Sequence, residues 1–136
     1  MAIYIDMVAD LFHVGHLRAI KYVKDNICRD NEKLIVGIIS DKDTEIYKRI
    51  PIIREDYRAE IISGIKYVDK VIPNSPLILS NDFVKENNIQ KICIPENRSD
   101  DEINDWYKFI DKEIILKIPY TTDISTTLII DKIKKY

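Results

Sequence analysis

The chain is predicted to belong to the α/β class, with a parallel five-stranded sheet carrying helices on both faces. Three observations support this. Five short, β-branched apolar runs alternate with segments of helical periodicity. The runs are apolar almost throughout, as strands covered on both faces must be, whereas a half-exposed antiparallel sheet would alternate apolar and polar residues. With 136 residues, 46% of them hydrophobic, the chain supplies one core and is expected to form one domain over residues 1–136.

The elements follow in order. Ile3–Val8 reads as the first strand; it runs into Asp10 and then His13-Val14-Gly15-His16, where helical periodicity starts and continues over Gly15–Asp25. Leu34–Ile39 is the second strand. A loop bearing Lys48 follows, because Pro51 discourages helix before it and favours an exposed, mobile segment that could act as a lid. Arg54–Ile65 is the next helix and contains Arg58. Lys70–Ile72 is the third strand, with Pro73-Asn74-Ser75-Pro76 as an inter-element turn before a helix over Asn81–Asn88. Lys91–Ile94, a helix over Asp101–Asp111, Ile114–Ile118 and a last helix over Ser125–Lys135 complete the set.

Composition narrows the function. Twenty-one basic and 23 acidic residues are intermixed, giving a net charge of −2 without the basic surplus of a nucleic-acid-binding module, so free nucleotide is favoured over polymer. Glycines occur only at 15, 37 and 64, too few for a dinucleotide fingerprint or a phosphate loop. Hydride transfer and classical kinase chemistry therefore recede. Cys28 and Cys93 lack metal-ligand spacing and read as reduced thiols of a cytoplasmic protein. No leader pattern is visible and no apolar run approaches the ~20 residues of a membrane span, so no membrane anchor is expected. Lys132, Lys134 and Lys135 read as a solvated helix end.

The chemistry concentrates around the two histidines. In an open parallel sheet the ligand crevice lies beyond the carboxyl ends of the strands, where the first strand delivers His13 and His16. Gly15 between them admits close backbone approach, and a helix N-terminus attracts anions, so the pair can grip a phosphate. Ser125, Thr126 and Thr127 open another helix, where hydroxyls and unpaired amides suit a triphosphate and equally serve as a cap. Lys48 and Arg58 add positive charge, unless they are ordinary solvated side chains. Asp10 has two readings: orienting a histidine or holding magnesium through water, or fixing the strand-to-helix turn through backbone amides.

Asp6 to His16 reads Asp-x(3)-Asp-Leu-Phe-His-x-Gly-His; Lys66-Tyr67-Val68-Asp69-Lys70-Val71, Asn74-Ser75-Pro76 and Ile124-Ser125-Thr126-Thr127 follow in order. Taken together, from near residue 3 to near residue 130, these segments resemble the cytidylyltransferases, a branch of the nucleotidyltransferase superfamily with a Rossmann-like fold, and in particular the choline-phosphate and ethanolamine-phosphate enzymes. The resemblance implies that the phosphate of a small phosphorylated alcohol, phosphocholine or phosphoethanolamine foremost, attacks the α-phosphate of CTP. Pyrophosphate leaves, and the CDP-alcohol feeds lipid or glycan synthesis. It implies catalytic roles for His13, His16 and Lys48, and nucleotide contacts from Val8, Ala9, Asp10, Gly15, Glu96, Asn97, Ser125, Thr126 and Thr127. Asp6, Lys48, Arg58 and Tyr107 would meet the acceptor, with Asp6 and Tyr107 facing a cationic head group by charge and cation–π attraction. Mg2+ is the implied cofactor, carried by the triphosphate with no protein metal site, and a homodimer formed near Lys66–Asp69 is the implied assembly. Three departures from the family pattern stand out: Tyr120-Thr121-Thr122-Asp123 replaces a usual Arg-x-x-Gly, Leu77 replaces a tryptophan, and Pro95-Glu96-Asn97 replaces the usual base-pocket segment. Glycerol 3-phosphate or a phosphonate as acceptor, adenylyl transfer from ATP, and a catalytically silent nucleotide-binding homodimer are the competing expectations.

Overall fold

The computed structural model describes residues 1–136. Five strands, β1 (Ala2–Met7), β2 (Lys33–Ile39), β3 (Lys70–Ser75), β4 (Ile89–Pro95) and β5 (Ile115–Ile118), form one parallel sheet in the order β3-β2-β1-β4-β5. Six helices connect or follow them: α1 (Val14–Tyr22), α2 (Asp41–Tyr47), α3 (Glu55–Ser63), α4 (Asn81–Glu86), α5 (Asp100–Trp106) and α6 (Thr126–Ile133). This is a Rossmann-like α/β fold.

Both sheet faces are covered, which explains why the strands lack an apolar–polar alternation. Ile3, Ile5, Leu34, Val36 and Ile38 pack on one face with Ile20 of α1 and Ile62 of α3. Ala2, Tyr4, Ile35, Ile92 and Ile94 pack on the other with Leu79 and with Trp106 and Tyr107 at the end of α5. The helices have only six to nine residues. Isolated helices shorter than about 12 residues are marginal in water. Each buried Ile, Leu or Val contributes roughly 1.5–3 kcal/mol, so packing on the sheet holds them.

The chain order positions the site. β1, β2 and β3 step toward one edge, and β4 then returns to the opposite side of β1. The connections after β1 and β4 therefore diverge, opening a crevice at the carboxyl ends of these two strands.

Local structure departs from the sequence expectation in several places. Asp41–Tyr47 is helical, initiated by Ser40, whose Oγ accepts from the Asp43 amide at 3.1 Å, so Lys48 is the C-cap of α2 at the start of the loop. Pro73-Asn74-Ser75 is not a turn but continues β3, an edge strand where a missing N–H is tolerated. Asn74 there adopts φ 50°, where the pairing with β2 shifts register. α1 ends at Tyr22 and continues as a π-turn over Val23–Ile27. α5 starts on its Ser99 cap and stops at Trp106, short of the expected Asp111. Cys28 and Cys93 are free thiols, and burial raises them to about 11 and about 12, respectively. No helix is long and apolar enough to cross a membrane.

Candidate active site

The turn between β1 and α1 is held against its own backbone preference. Ala9 and Leu11 sit at φ 55° and 49°, left-handed values that cost non-glycine residues of order 1–3 kcal/mol. Asp10 offsets this. Its buried carboxylate accepts from the amides of Leu11 (3.1 Å), Ile52 (2.8 Å) and Ile53 (2.8 Å), while its carbonyl accepts from Thr126 Oγ1 (2.8 Å). Asp10 thus joins the β1 loop, the segment before α3 and the start of α6. Of its two readings, the geometry matches the turn-holding one, since backbone amides engage both carboxylate oxygens.

Beyond this turn the two histidines cap α1 reciprocally. His13 Nδ1 accepts from the Gly15 amide at 3.0 Å, and His16 Nδ1 accepts from the His13 amide at 3.1 Å. In a neutral imidazole whose Nδ1 accepts, the proton resides on Nε2. Both rings therefore carry an Nε2–H donor, and they stack with centroids 3.8 Å apart. Desolvation, aided by the positive charge of Lys48, lowers the pKa of His13, and burial, followed by the charges of His13 and Lys48, brings His16 to about 3. The pair is neutral at physiological pH. Gly15 is required at its position, because a Cβ there would lie 2.8 Å from His13 Cε1.

Around the pair lies a cleft of about 430 Å³ at the carboxyl ends of β1 and β4. Asp6, Val8, Ala9, Asp10, Gly15, Lys48, Asn97, Ser125 and Thr126 line it together with both histidines. Lys48 is exposed at the cleft, and desolvation by its neighbours lowers its pKa. At the α6 end, Ser125 Oγ caps the helix by accepting from the Leu128 amide at 3.0 Å. Thr127 lies outside the cleft lining, but its Oγ1 receives a hydrogen bond from Arg49 Nη1 at 3.1 Å, which brings a cation to the first turn of α6.

Four expected site residues are placed differently. Glu96 lies outside the cleft lining, its Oε1 accepting from the amide of Tyr120, which does line the cleft, at 3.3 Å. Thr127 serves through Arg49, as described. Arg58 is fully buried behind the cleft floor, donating to the carbonyls of Val8, Ile39 (2.9 Å) and Ile53 (2.8 Å) and to Asp41 Oδ1 (2.6 Å). It rivets the ends of β1 and β2 to α2 and α3, and is not presented to a ligand. Tyr107 is likewise buried, its hydroxyl taken by Arg98 Nη1.

The sequence reading missed Arg98, Arg49 and Tyr47. Arg98 lies 3.7 Å from Asp6 and over the ring of Trp106, 5.0 Å from its centroid. Tyr47 meets Trp106 edge to face at 4.9 Å. Burial of Asp6 raises its pKa despite this partner. Arg98 had one available signal, its position three residues beyond the end of β4 in the expected crevice; Arg49 had only its adjacency to Lys48. No cluster of three or more His, Cys, Asp or Glu side chains is arranged to hold a metal ion.

Comparison with known proteins agrees with this geometry. The family model described as cytidylyltransferase-like matches residues 7–132. The choline-phosphate cytidylyltransferase of Saccharomyces cerevisiae is 36% identical over 96% of this chain and 31% of its own length. Choline-phosphate cytidylyltransferase 2 of Arabidopsis thaliana is 34% identical over 98% of this chain and 44% of its own. A probable ethanolamine-phosphate cytidylyltransferase of Schizosaccharomyces pombe is 27% identical over 96% and 35%. The chain thus spans less than half the length of these relatives. In fold it resembles a lipopolysaccharide core biosynthesis protein of Thermoplasma volcanium, with a TM-score of 0.66 at 24% identity, covering 92% of this chain and 98% of that one. With the histidine-capped helix, the β1–β4 cleft and a family match over nearly its whole length, the chain belongs to the cytidylyltransferase-like family.

Proposed function

We propose that the chain transfers CMP from CTP to a phosphate oxygen of a small phosphorylated alcohol, releasing pyrophosphate. The observation that carries this reading is the reciprocal cap of α1, which leaves two neutral imidazoles with their Nε2–H groups available beside Lys48. The acceptor's phosphate oxygen forms a bond to the α-phosphorus in line with the bridging oxygen to the β-phosphate. That bridging bond breaks, and its electron pair leaves with pyrophosphate. Such a transfer requires positioning and charge stabilisation from the protein rather than covalent chemistry.

His13 and His16 donate hydrogen bonds as charge builds on the α-phosphate, and Lys48 supplies the nearby positive charge. Neutral rings serve the cap and this role together, because Nδ1 accepts a backbone amide while Nε2–H is left to donate. Arg49, held at Thr127, supplies at the first turn of α6 the cation that Tyr120 does not provide. Mg2+ bound with the nucleotide would neutralise triphosphate charge. Asn97 lines the cleft on the β4 side and is our candidate for a base or ribose contact. We also propose a homodimer formed near Lys66–Asp69, where a second copy would also cover Tyr57 and Ile61, the exposed apolar side chains of the preceding helix α3. The free thiols fit a cytoplasmic setting.

Pyrophosphate release tests the reading, using CTP or ATP with phosphocholine, phosphoethanolamine and glycerol 3-phosphate, in the wild type and His16→Ala. Release should require CTP and fall about 10²–10³-fold in the variant, the effect of removing one transition-state donor. Equal release by both proteins, or a preference for ATP, would overturn it.

A further inference from the structure

Arg98 occupies the end of the cleft away from the histidines in a way that bears on the acceptor. It follows β4, and its side chain is one-sixth exposed. Its Nη1 donates to the Tyr107 hydroxyl and lies 3.7 Å from Asp6, while the guanidinium covers Trp106. A quaternary ammonium needs a carboxylate and an open aromatic face. Here the carboxylate of Asp6 and the face of Trp106 are both already engaged by a resident cation. The second ring, Tyr47, is turned edge-on to Trp106, and Leu77 offers no aromatic face.

Arg98 also has unspent capacity. A guanidinium carries five N–H donors, and neither Nε nor Nη2 has a protein partner. The unpartnered buried polar side-chain atoms of this protein belong to Tyr4, Ser75 and Gln90, so the free donors of Arg98 keep access to solvent, and Arg98 lines the cleft. Such donors are satisfied by oxygen acceptors and by no part of an ammonium group. Glu102 lines the same end and is partly occupied by its capping contact with Ser99 (3.3 Å).

We propose that Arg98, seated between Asp6 and Trp106, selects the acceptor, and that the far end of the phosphorylated alcohol bears a hydrogen-bond-accepting oxygen group, hydroxyl or carboxylate, instead of an ammonium. The inference rests on the transfer reading given above. Its role is specificity: Arg98 binds the head group while the histidines and Lys48 handle the phosphates.

The test compares glycerol 3-phosphate (hydroxyl) and phosphoglycolate (carboxylate) with phosphocholine and phosphoethanolamine, with CTP, in the wild type, Arg98→Gln and Arg98→Lys. The CMP ester is identified by mass. Trp106, the one tryptophan of the chain, reports occupancy of this end by fluorescence without requiring turnover. At least one oxygen-headed acceptor should exceed both ammonium acceptors in kcat/KM and alter Trp106 emission. Arg98→Gln should raise its KM about 10–100-fold, the loss of a hydrogen bond to a charged group, with little change in kcat, and Arg98→Lys should recover part. A thermal shift with CTP confirms that each variant is folded; should Arg98→Gln fail to fold, the wild-type preference and Arg98→Lys decide. Phosphocholine or phosphoethanolamine as the preferred wild-type acceptor, or an acceptor ratio unchanged in the folded variants, would overturn the assignment to Arg98 while leaving CMP transfer intact. Absence of a CMP ester with every acceptor would refute the transfer reading and this inference with it.

Discussion

Arg58→Lys separates a positioning role from a substrate-binding one. The guanidinium serves four acceptors in three directions: the Val8 carbonyl beyond β1, Ile39 at the end of β2, Ile53 before α3, and the Asp41 carboxylate on α2. A lysine keeps the charge but donates from a single nitrogen, and cannot reproduce the planar fork. Two buried carbonyl acceptors lose their partner at about 1–2 kcal/mol each, giving an expected loss of about 2–4 kcal/mol. Against a total stability of about 5–15 kcal/mol that is a large fraction. Urea denaturation monitored by circular dichroism should show the midpoint fall at unchanged slope, and Tm should drop by about 8–16 °C. Arg58→Ala, which also removes the charge partner of the partly exposed Asp41, should be more destabilising than Arg58→Lys. A loss below about 1 kcal/mol, accompanied by a raised KM for the acceptor, would place Arg58 in contact with substrate and refute the reasoning.

Gly15→Ala should push the His13 ring from its capping position, since the new Cβ would lie 2.8 Å from Cε1; stability should fall by about 1 kcal/mol and turnover more steeply, as measured by urea melts and pyrophosphate release. Arg49→Ala should raise the Kd for CTP about tenfold, the size of one charge-assisted hydrogen bond, which isothermal titration with CTP checks, while acceptor KM in the pyrophosphate assay stays unchanged. The pH dependence follows from His16, whose folded pKa of about 3 lies below the unfolded value of about 6.5. Its contribution is complete above the unfolded pKa and is lost as pH falls from there toward 3. Between pH 7.5 and 4.5 the wild type should therefore lose about 2–3 kcal/mol more than His16→Asn, which does not titrate, in urea melts at the two pH values. Equal losses would show that the imidazole is not held neutral.

The strands were legible because each is a local run, and burial on both faces removes any polar residue that would blur it. Ile3–Val8, Leu34–Ile39 and Lys91–Ile94 fall within a residue or two of β1, β2 and β4. The His13–His16 site was equally legible, since its cap is formed within four residues. α2 escaped notice because its seven residues show too little periodicity and only Ser40 marks its start. β3 was cut short because Pro73 and Asn74 normally punctuate a chain, whereas an edge strand tolerates both.

By itself the sequence determined a covered parallel sheet, a helix that starts at two histidines around Gly15, and the family to which such segments belong. Only the tertiary structure decided that Arg58 is a buried rivet, that Arg49 reaches Thr127, and that Arg98 shares Asp6 and Trp106. The reason is distance along the chain. A cap or a strand is fixed by neighbours a few residues apart, but Asp10 meets Ile52 because β2 lies beside β1, and Asp6 meets Arg98 and Arg49 meets Thr127 because the chain crosses back over the sheet after β3. Whether a charged side chain is solvated, spent on the fold or left open to a ligand depends on that crossing, and no local pattern records it.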